Sequence, residues 1–166
     1  MSRYVMMGVS GCGKSRVGLG FATVIGTLFI DGDSLHPQSN INKMRGGEPL
    51  NDIDRAPWLV AVGTALKAKG TVVACSALKR AYRDLIRQTA GAPVTFLYLR
   101  GQRETLLQRM STRPGHFMPP ALLDSQCATL EPPMADERHL VADIEQTPEA
   151  IIALFLAGLS EIAPRA

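Results

Sequence analysis

The 166-residue sequence has few aromatic residues, little net charge and no long apolar run. Aromatic residues account for 5% of the chain and the formal net charge is +3, so neither base stacking nor binding to a phosphate backbone is favoured. No apolar stretch reaches the ~18 residues that a membrane-spanning helix needs. The N-terminus also lacks the basic region, apolar core and cleavage site of a signal peptide. We therefore expect no nucleic-acid partner and no membrane partner.

Cysteine is also scarce, and the three cysteines lack the spacing of a metal site. Cys75 lies in an apolar run and Cys127 in a predicted helix, where a buried thiol acts as a small apolar side chain. Cys12 lies in a glycine-rich loop. It is either a tolerated variable position, which we favour, or a partly exposed and oxidisable thiol. Reduced thiols are typical of the cytosol, and we predict a cytoplasmic protein.

The sequence does contain a regular alternation of short apolar runs and longer helical segments. Apolar strands are predicted at 4–7, 27–30, 71–75, 94–99 and 139–144. Because helical segments separate successive strands, the pattern predicts an α/β fold with a parallel sheet covered on both faces. We expect one domain over residues 1–166, with a proline-rich and glycine-rich lid at about 109–120.

Glycines mark the expected weak points and ends of the helices. Gly18 and Gly20 are each predicted to destabilise the helix over 14–25 by about 1 kcal/mol relative to alanine. A second helix, over 52–69, is expected to end at Gly70, which has the favoured C-cap residue type. The two glycines therefore weaken the prediction of the first of these helices.

Residues 8–15 form the strongest single motif. The segment Gly8-Val9-Ser10-Gly11-Cys12-Gly13-Lys14-Ser15 matches G-x-x-x-x-G-K-[ST], follows an apolar strand and precedes a helical segment. Glycines let the backbone turn its amide N–H groups toward phosphates, and the N-terminus of the following helix favours an anion. Lys14 is suited to the β- and γ-phosphate oxygens, and the Ser15 hydroxyl to Mg²⁺. The segment therefore predicts a nucleotide-binding phosphate loop.

Two acidic residues follow the second predicted strand. Asp31 and Asp33, separated by Gly32, lie outside the carboxyl end of a strand, where ligands bind in open α/β sheets. One carboxylate is suited to Mg²⁺ and the other to the hydroxyl group of an acceptor. The third strand ends at Ser76 without an acidic residue, which favours Asp31 as the metal-associated carboxylate. A solvated Asp-Gly-Asp turn is the alternative.

Basic residues are concentrated in two helical segments. Arg109 and Arg113 are four residues apart where the predicted lid begins, and arginine suits both phosphate binding and stacking on a base. Lys79 and Arg83 share a face of the helix after the third strand, and both are candidates for contact with an acidic substrate. For the other two arginines of that helix, a solvated position is the better explanation.

Longer motifs accompany the loop and the acidic pair from Tyr4 to about Ile144. They are Asp31-Gly32-Asp33, His36-Pro37, Asn40, Lys43-Met44, Gly47-Glu48-Pro49-Leu50-Asn51-Asp52, Asp54-Arg55, Trp58-Leu59, Cys75-Ser76-Ala77-Leu78-Lys79, Tyr82-Arg83-Asp84, Gly115-His116-Phe117-Met118 and Thr129-Leu130-Glu131. In this combination the sequence resembles the gluconokinase family over nearly the whole chain. The combination is far more specific than the phosphate loop alone.

The resemblance implies an enzyme that uses MgATP to phosphorylate D-gluconate on its 6-hydroxyl, giving 6-phospho-D-gluconate and ADP. It implies the three-layer P-loop kinase fold, with a five-stranded parallel sheet of order 2-3-1-4-5 and a helical lid. The implied cofactors are ATP and Mg²⁺, the implied small-molecule partner is gluconate, and the expected assembly is a homodimer.

Roles for individual residues follow from the same resemblance. The expected catalytic residues are Lys14, Asp33 and Arg113, with Ser15 and Asp31 at the metal. Arg109 is expected to lie against adenine. The expected contacts with gluconate are Asp33, His36, Arg55, Lys79, Arg83 and His116, of which the two arginines are candidates for its carboxylate.

The sequence departs from the family pattern at a few positions. Cys12 replaces a serine or alanine, Cys127 replaces an aromatic residue, and the first helix has Gly18, Gly20 and Phe21 where alanine and leucine are typical. None of these residues is a proposed catalytic group.

Two other functions are compatible with parts of the sequence. A kinase for another hydroxy-acid, such as shikimate, needs the same acidic pair and carboxylate-binding arginines. Only the neighbourhoods of His36-Pro37 and Gly115-His116-Phe117 favour gluconate over such an acid. A nucleotide-dependent switch protein would need a guanine-specifying Asn-Lys-x-Asp motif, which the sequence lacks. Gluconate phosphorylation is therefore the first hypothesis, and a different hydroxy-acid is the alternative.

Overall fold

In a computed structural model of the chain, residues 2–113 and 119–162 are described. The strands are β1 (Arg3–Met7), β2 (Leu28–Asp31), β3 (Thr71–Ala74), β4 (Val94–Arg100) and β5 (His139–Asp143). The α-helices are α1 (Lys14–Val24), α2 (Gln38–Arg45), α3 (Asp52–Ala65), α4 (Arg80–Ala90), α5 (Arg103–Ser111), α6 (Pro120–Thr129) and α7 (Pro148–Ile162). A 3₁₀ turn, Gly32–Leu35, follows β2. None of the helices in this described part is long and apolar enough to cross a membrane.

The five strands form one parallel sheet in the order β2-β3-β1-β4-β5. Val5 of β1 lies between Val73 of β3 and Phe96 of β4, and all three side chains are buried. The predicted α/β class and the predicted strand order are confirmed. The order brings the carboxyl ends of β1, β2 and β3 together at one end of the sheet, where the phosphate loop and the acidic pair begin.

Helices cover both faces of the sheet, because right-handed crossovers that leave β1 and β3 in opposite directions place their helices on opposite faces. α1 and α7 pack together on one face, and α3 and α4 pack together on the other. Apolar side chains of both helix layers are buried against the central strands, among them Phe21, Leu59 and Phe155. The core therefore supports the strand ends that carry the loops.

Gly18 and Gly20 lie where α1 approaches its neighbours closely. A Cβ on Gly18 would come within 2.7 Å of Phe29 Cε2 in β2, and a Cβ on Gly20 within 2.8 Å of Ile152 Cδ1 in α7. Both glycines therefore let α1 pack closer to the sheet and to α7 than alanine would allow. The loss of helix propensity predicted at these two glycines is therefore accompanied by closer packing of α1.

α3 begins with a capping box at its first turn and ends earlier than predicted. The helix ends at Ala65, and the carbonyl of Leu66 accepts a hydrogen bond from Arg3 Nε at 2.6 Å. Gly70 lies instead in the turn into β3, with a φ of +70°. The predicted helix end at Gly70 is therefore wrong: the helix ends earlier, where Arg3 of β1 binds the carbonyl of the C-cap residue Leu66.

The predicted lid, about 109–120, lies between the last turn of α5 and the first turn of α6. Residues 114–118 lie outside the described residues, and they include His116, one of the expected gluconate ligands. The described parts of this segment, Arg109 to Arg113 and Pro119 to Pro120, belong to α5, α6 and their ends.

Candidate active site

The loop between β1 and α1 has the backbone geometry of a phosphate-binding loop. Gly8, Gly11 and Gly13 have φ angles of +146°, +82° and +92°, in the region that favours glycine. A Cβ on Gly8 would also lie 2.8 Å from the Leu99 carbonyl oxygen. α1 begins at Lys14, so its N-terminal amides face the loop. Backbone conformation therefore favours glycine at all three positions, and space also requires it at Gly8.

Ser15 and Asp31 lie in direct contact next to the phosphate loop. Ser15 Oγ donates a hydrogen bond to Asp31 Oδ2 at 2.8 Å, and Asp31 Oδ1 accepts from the Asp33 backbone N–H at 3.0 Å. A hydroxyl and a carboxylate are ligands that Mg²⁺ uses together with water and substrate phosphates. Among the described residues no three His, Cys, Asp or Glu side chains converge to form a closed metal centre. The pair therefore fits an ion that is shared with a nucleotide.

A cavity of about 590 Å³ opens in front of the phosphate loop. Besides the loop, its walls are formed by Arg109 and Arg113 at the end of α5 and by Pro148 and Ile151 at the start of α7. Arg109 Nη2 donates to the Ile144 carbonyl oxygen at 2.6 Å, which fixes its guanidinium at the carboxyl end of β5. The cavity combines a phosphate-binding loop with a partly apolar wall. We call it the nucleotide cavity.

A second cavity, of about 370 Å³, lies beside the first and is called the acceptor cavity below. Its walls come from α2, α3 and α6 and from the ends of β2 and β3, and they include His36, Arg55 and Trp58. Among the described residues, three line both cavities: Ser10, Lys14 and Asp33. A phosphate held at the loop and a hydroxyl held near Asp33 would therefore meet where the cavities join.

Arg55 presents a buried positive charge in the acceptor cavity. The residue is 9% exposed, and Nη1 donates to Tyr82 Oη at 3.0 Å. The Tyr82 hydroxyl in turn donates to Asp52. Within the described residues Arg55 has no carboxylate at ion-pair distance. A buried cation without a paired anion favours an anionic ligand.

His36 is held as a neutral ring with a defined tautomer. Asn40 Nδ2 donates to the Asp54 carbonyl oxygen at 2.8 Å and lies 3.2 Å from His36 Nδ1, so Nδ1 accepts the second amide hydrogen. The proton of the ring is therefore on Nε2. Burial is the main cause that lowers the pKa of His36 below 6.5, which keeps the ring neutral at pH 7. The imidazole also stacks on Trp58, with ring centroids 4.1 Å apart.

Comparison with known proteins then places this geometry in a family. A family model described as shikimate kinase matches residues 10–147. The thermoresistant gluconokinase of Escherichia coli (strain K12) is 47% identical over an alignment of 157 residues, with coverage of 90% of this chain and 89% of that protein. A crystal structure of a gluconokinase from Sinorhizobium meliloti 1021 is 47% identical, with a TM-score of 0.90 and coverage of 98% of this chain and 93% of that one. The chain belongs to the gluconokinase family.

The gluconokinase family shares its fold with shikimate kinases. A shikimate kinase from Bacteroides thetaiotaomicron matches with a TM-score of 0.71 at 15% identity, over 97% of this chain and 99% of that one. At this identity the likeness shows the fold alone. The resemblance to gluconokinases that the sequence motifs indicate is confirmed, and the shikimate kinases are distant relatives.

Arg83, an expected ligand of gluconate in this family, is instead a buried structural residue. Its side chain is 0% exposed, and it pairs with Glu137 through Nε at 2.7 Å and Nη2 at 2.8 Å. Its Nη1 donates to the carbonyl oxygens of Ala77 and Glu131, both at 3.0 Å. Arg83 lines neither cavity. The assignment of Arg83 to the substrate is therefore corrected, because its charge is already paired inside the protein.

Lys79 also lies outside both cavities. Its Nζ is 3.2 Å from Asp52 Oδ1, and this hydrogen bond is the main cause that raises the pKa of Lys79. The ammonium group lies 5.5 Å from the centre of the Tyr82 ring. Lys79 thus contacts Asp52 and Tyr82, and Tyr82 also accepts a hydrogen bond from Arg55. A direct contact of Lys79 with gluconate stays a prediction.

The three cysteines are free thiols, and two of them are buried. Cys12 is 1% exposed, and its Sγ occupies the space beside Gly8, where a Cβ would come within 2.8 Å of it. The interpretation of Cys12 as a partly exposed thiol is therefore wrong. Cys75 is buried as expected, and burial raises the pKa of its thiol to about 12. Cys127 is half-buried in α6.

Two cavity residues have roles that the sequence motifs do not reveal. Trp58 Nε1 donates to the Gly32 carbonyl oxygen at 2.8 Å, so the same ring supports the acidic turn and stacks on His36. Gln126 of α6 contacts Ser10 in the phosphate loop. Trp58 could have been singled out as the only tryptophan of the chain. For Gln126 no local signal exists, because its partner is 116 residues away.

Proposed function

We propose that the chain transfers the γ-phosphoryl group of ATP to the 6-hydroxyl of D-gluconate, giving 6-phospho-D-gluconate and ADP. The observation that carries the proposal is the meeting of the two cavities at Ser10, Lys14 and Asp33. A phosphate-binding residue, Lys14, and a carboxylate, Asp33, thereby face the same point. This arrangement suits in-line transfer between two bound molecules better than hydrolysis or signalling.

The reacting groups have distinct tasks in this proposal. Asp33 orients the 6-hydroxyl and accepts its proton as the oxygen bonds to the γ-phosphorus and the bond to the β-phosphate oxygen breaks. Lys14, the loop amides and Arg113 stabilise the charge on the phosphoryl oxygens. Mg²⁺, which Ser15 and Asp31 would hold, would neutralise phosphate charge when it is bound. Arg109 is proposed to lie against adenine.

The acceptor is proposed to bind with its carboxylate toward Arg55 and its far hydroxyl toward Asp33. Arg55 is a buried cation that needs an anion, and its guanidinium is held in place by Tyr82. The Nε2–H of His36 is suited to donate to a hydroxyl of the polyol chain. His116, outside the described residues, stays a predicted contact. A sugar without a negative charge would leave Arg55 unpaired. This favours a sugar acid as the acceptor.

A panel of acceptors tests this function. ADP release is measured with gluconate, shikimate, idonate and no acceptor, and the position of the new phosphate is determined by NMR. We expect gluconate to give the highest kcat/KM, with the phosphate on oxygen 6. Preference for shikimate would establish the alternative kinase, and equal ADP release without any acceptor would point to a nucleotide switch.

Two variants separate the proposed roles in the same assay. Asp33→Asn is expected to lower kcat by about 10²-fold or more, because a general base is lost, while ATP binding is kept. Arg55→Met is expected to raise the KM for gluconate about 10-fold or more, because a charged hydrogen bond is lost. Arg80→Met, at an exposed ion pair with Asp136, is the control for removal of an arginine. Binding of gluconate is followed by the fluorescence of Trp58.

Several broader features are proposed with the function. One kinase domain over residues 1–166 with a closing lid at about 109–120, and the use of Mg²⁺, follow the family pattern. A cytoplasmic location is supported by the three free thiols. A homodimer is proposed on the resemblance alone, and sedimentation velocity at micromolar concentration measures it.

A further inference from the structure

The side chain of Gln126 in helix α6 contacts the phosphate loop. Gln126 Oε1 accepts from the Ser10 backbone N–H at 2.8 Å, and Gln126 Nε2 donates to Ser10 Oγ at 3.0 Å. The two hydrogen bonds join residues that are 116 positions apart in the sequence. A primary amide is suited to this contact, because it carries one acceptor and one donor on the same rigid group.

Both partners of this contact lie at the site. Ser10 is one of the three residues that line the nucleotide cavity and the acceptor cavity. Gln126 lines the acceptor cavity together with Leu122 and Ser125, so one face of α6 forms a wall of that cavity. The position of α6 and the position of the loop at the junction of the cavities are therefore linked by the Gln126 amide.

We propose that Gln126 is a positioning residue that fixes Ser10, and with it the phosphate-loop backbone at the junction, against the acceptor-cavity wall. This inference rests on the proposed function, since it concerns transfer to an acceptor in that cavity. A loop that is held from the acceptor side keeps the phosphate at a fixed distance from the acceptor hydroxyl. Without this contact the loop still binds nucleotide, but its junction residue is free to shift relative to the acceptor.

The uncharged nature of Gln126 also fits this role. Ser10 and Lys14 face the point where negative charge develops on the phosphoryl group. An amide can hold the loop there without repelling that charge, whereas a carboxylate would oppose it. Gln126→Glu keeps an acceptor for the Ser10 N–H but adds a negative charge. We therefore expect this variant not to keep the wild-type rate of phosphoryl transfer.

The test replaces Gln126 by methionine, which has similar length and no hydrogen-bonding amide. We expect Gln126→Met to lower kcat for gluconate phosphorylation about 10-fold or more, because small displacements of reacting groups have large effects on rate. The ratio of acceptor-independent ATP hydrolysis to transfer is expected to rise by a similar factor. Gln88→Met, at an exposed position of α4, is the matched control and is expected to change neither quantity.

A double-mutant cycle with Ser10→Ala gives the readout that a purely structural role would not move. Ser10→Ala removes one of the two hydrogen bonds and is expected to lower kcat a few-fold in the wild-type background, with no further effect in Gln126→Met. Additive effects, or equal losses of hydrolysis and transfer, would overturn the inference. Failure of the wild-type chain to phosphorylate gluconate would overturn the proposed function instead. The cycle would then be measured with whichever acceptor the panel identifies.

Discussion

Gly32 separates the two acidic residues of the site and lies against the neighbouring strand. A Cβ at this position would come within 2.1 Å of the Ala74 carbonyl oxygen, the closest approach found for any described glycine. The Gly32 carbonyl oxygen accepts from Trp58 Nε1 on the other side. The turn that presents Asp31 to Ser15 and Asp33 to the cavity junction is therefore held between β3 and α3.

Replacing Gly32 by alanine is expected to displace this turn. The new methyl group cannot share space with a backbone carbonyl, so we expect a loss of about 1–3 kcal/mol in the free energy of unfolding, as for other overpacked sites. Because Asp33 moves with the turn, kcat is expected to fall about 10²-fold. Urea unfolding and the gluconate assay measure the two effects.

Gly46→Ala is the control for this substitution. Gly46 has a φ of −75°, and the nearest atom to a Cβ there, the Lys43 carbonyl oxygen, lies at 3.4 Å. Stability and activity close to those of the wild type are therefore expected for the control. If Gly32→Ala were equally mild, the close approach of Gly32 to β3 would not be what positions Asp33.

At the scale of a single helix, α4 has three arginines with different surroundings. Arg80 is partly exposed and pairs with Asp136, whereas Arg83 is fully buried on Glu137. Arg87 lies between these extremes and also reaches Glu137, at 3.2 Å. The buried pair braces the loop after β3, since Arg83 also donates to the carbonyl of Ala77, which has a φ of +47°.

Sequence reasoning assigns Arg83 to the substrate and the other two arginines to solvent, and it cannot find the buried partner of Arg83, although it can predict the phosphate loop. The loop and the helix after it are adjacent in the chain, so their residue types and spacing carry the information locally. Arg83 is distinguished by Glu137, which is 54 positions away. Arg55 differs because no carboxylate of the described residues lies within ion-pair distance of it. Such facts depend on how α3, α4 and the segment before β5 pack together, and no local pattern records them.

Arg83→Met is expected to destabilise the fold more than it affects binding. Removing one partner of a buried ion pair leaves Glu137 without its principal counter-charge, and such changes cost about 3–5 kcal/mol. Urea unfolding measures the loss, and Arg80→Met is the control, with an expected change below about 1 kcal/mol. Glu137→Gln in the Arg83→Met background should recover part of the stability. If stability were unchanged and the KM for gluconate were about 10-fold higher, Arg83 would be assigned to gluconate binding and not to the support of the fold.

At the scale of the whole molecule, the sheet order explains why the site could be assembled from separate motifs. The order β2-β3-β1 places the acidic turn, the loop after β3 and the phosphate loop side by side. The Gly8 N–H donates to the Ser76 carbonyl oxygen at 3.3 Å across this end of the sheet. This strand order was predicted from the resemblance. The residues that follow the carboxyl ends of these strands then determine which side chains meet in the site.

Stability at acid pH should reflect buried groups throughout the molecule. Burial is the largest single influence on the pKa of Glu137, and it opposes ionisation. The hydrogen bonds from Arg83, the Met134 backbone and Arg87, together with the positive charge of Arg83, outweigh it and lower the pKa of Glu137 from 4.5 to about 2. This stabilisation is present above pH 4.5 and is lost as the pH falls toward 2. The lowered pKa of His36 adds a smaller loss as the pH falls below 6.5.

At alkaline pH the sign is reversed for the buried thiol of Cys75. Burial raises its pKa from 9.0 to about 12, so its contribution is complete below pH 9 and is lost as the pH rises toward 12. We therefore expect the free energy of unfolding, measured with urea from pH 2.5 to 11, to have a plateau between about pH 6.5 and 9. Glu137→Gln should flatten the acid limb below pH 4.5, and Cys75→Ala the alkaline limb.

Repeating the series in 0.5 M salt tests the assignment to buried groups, because salt screens exposed pairs such as Arg103–Asp124 but not the Glu137 pair. If the free energy of unfolding of the wild type rose as the pH fell from 4.5 to 3, the result would contradict the assigned ionised state of Glu137.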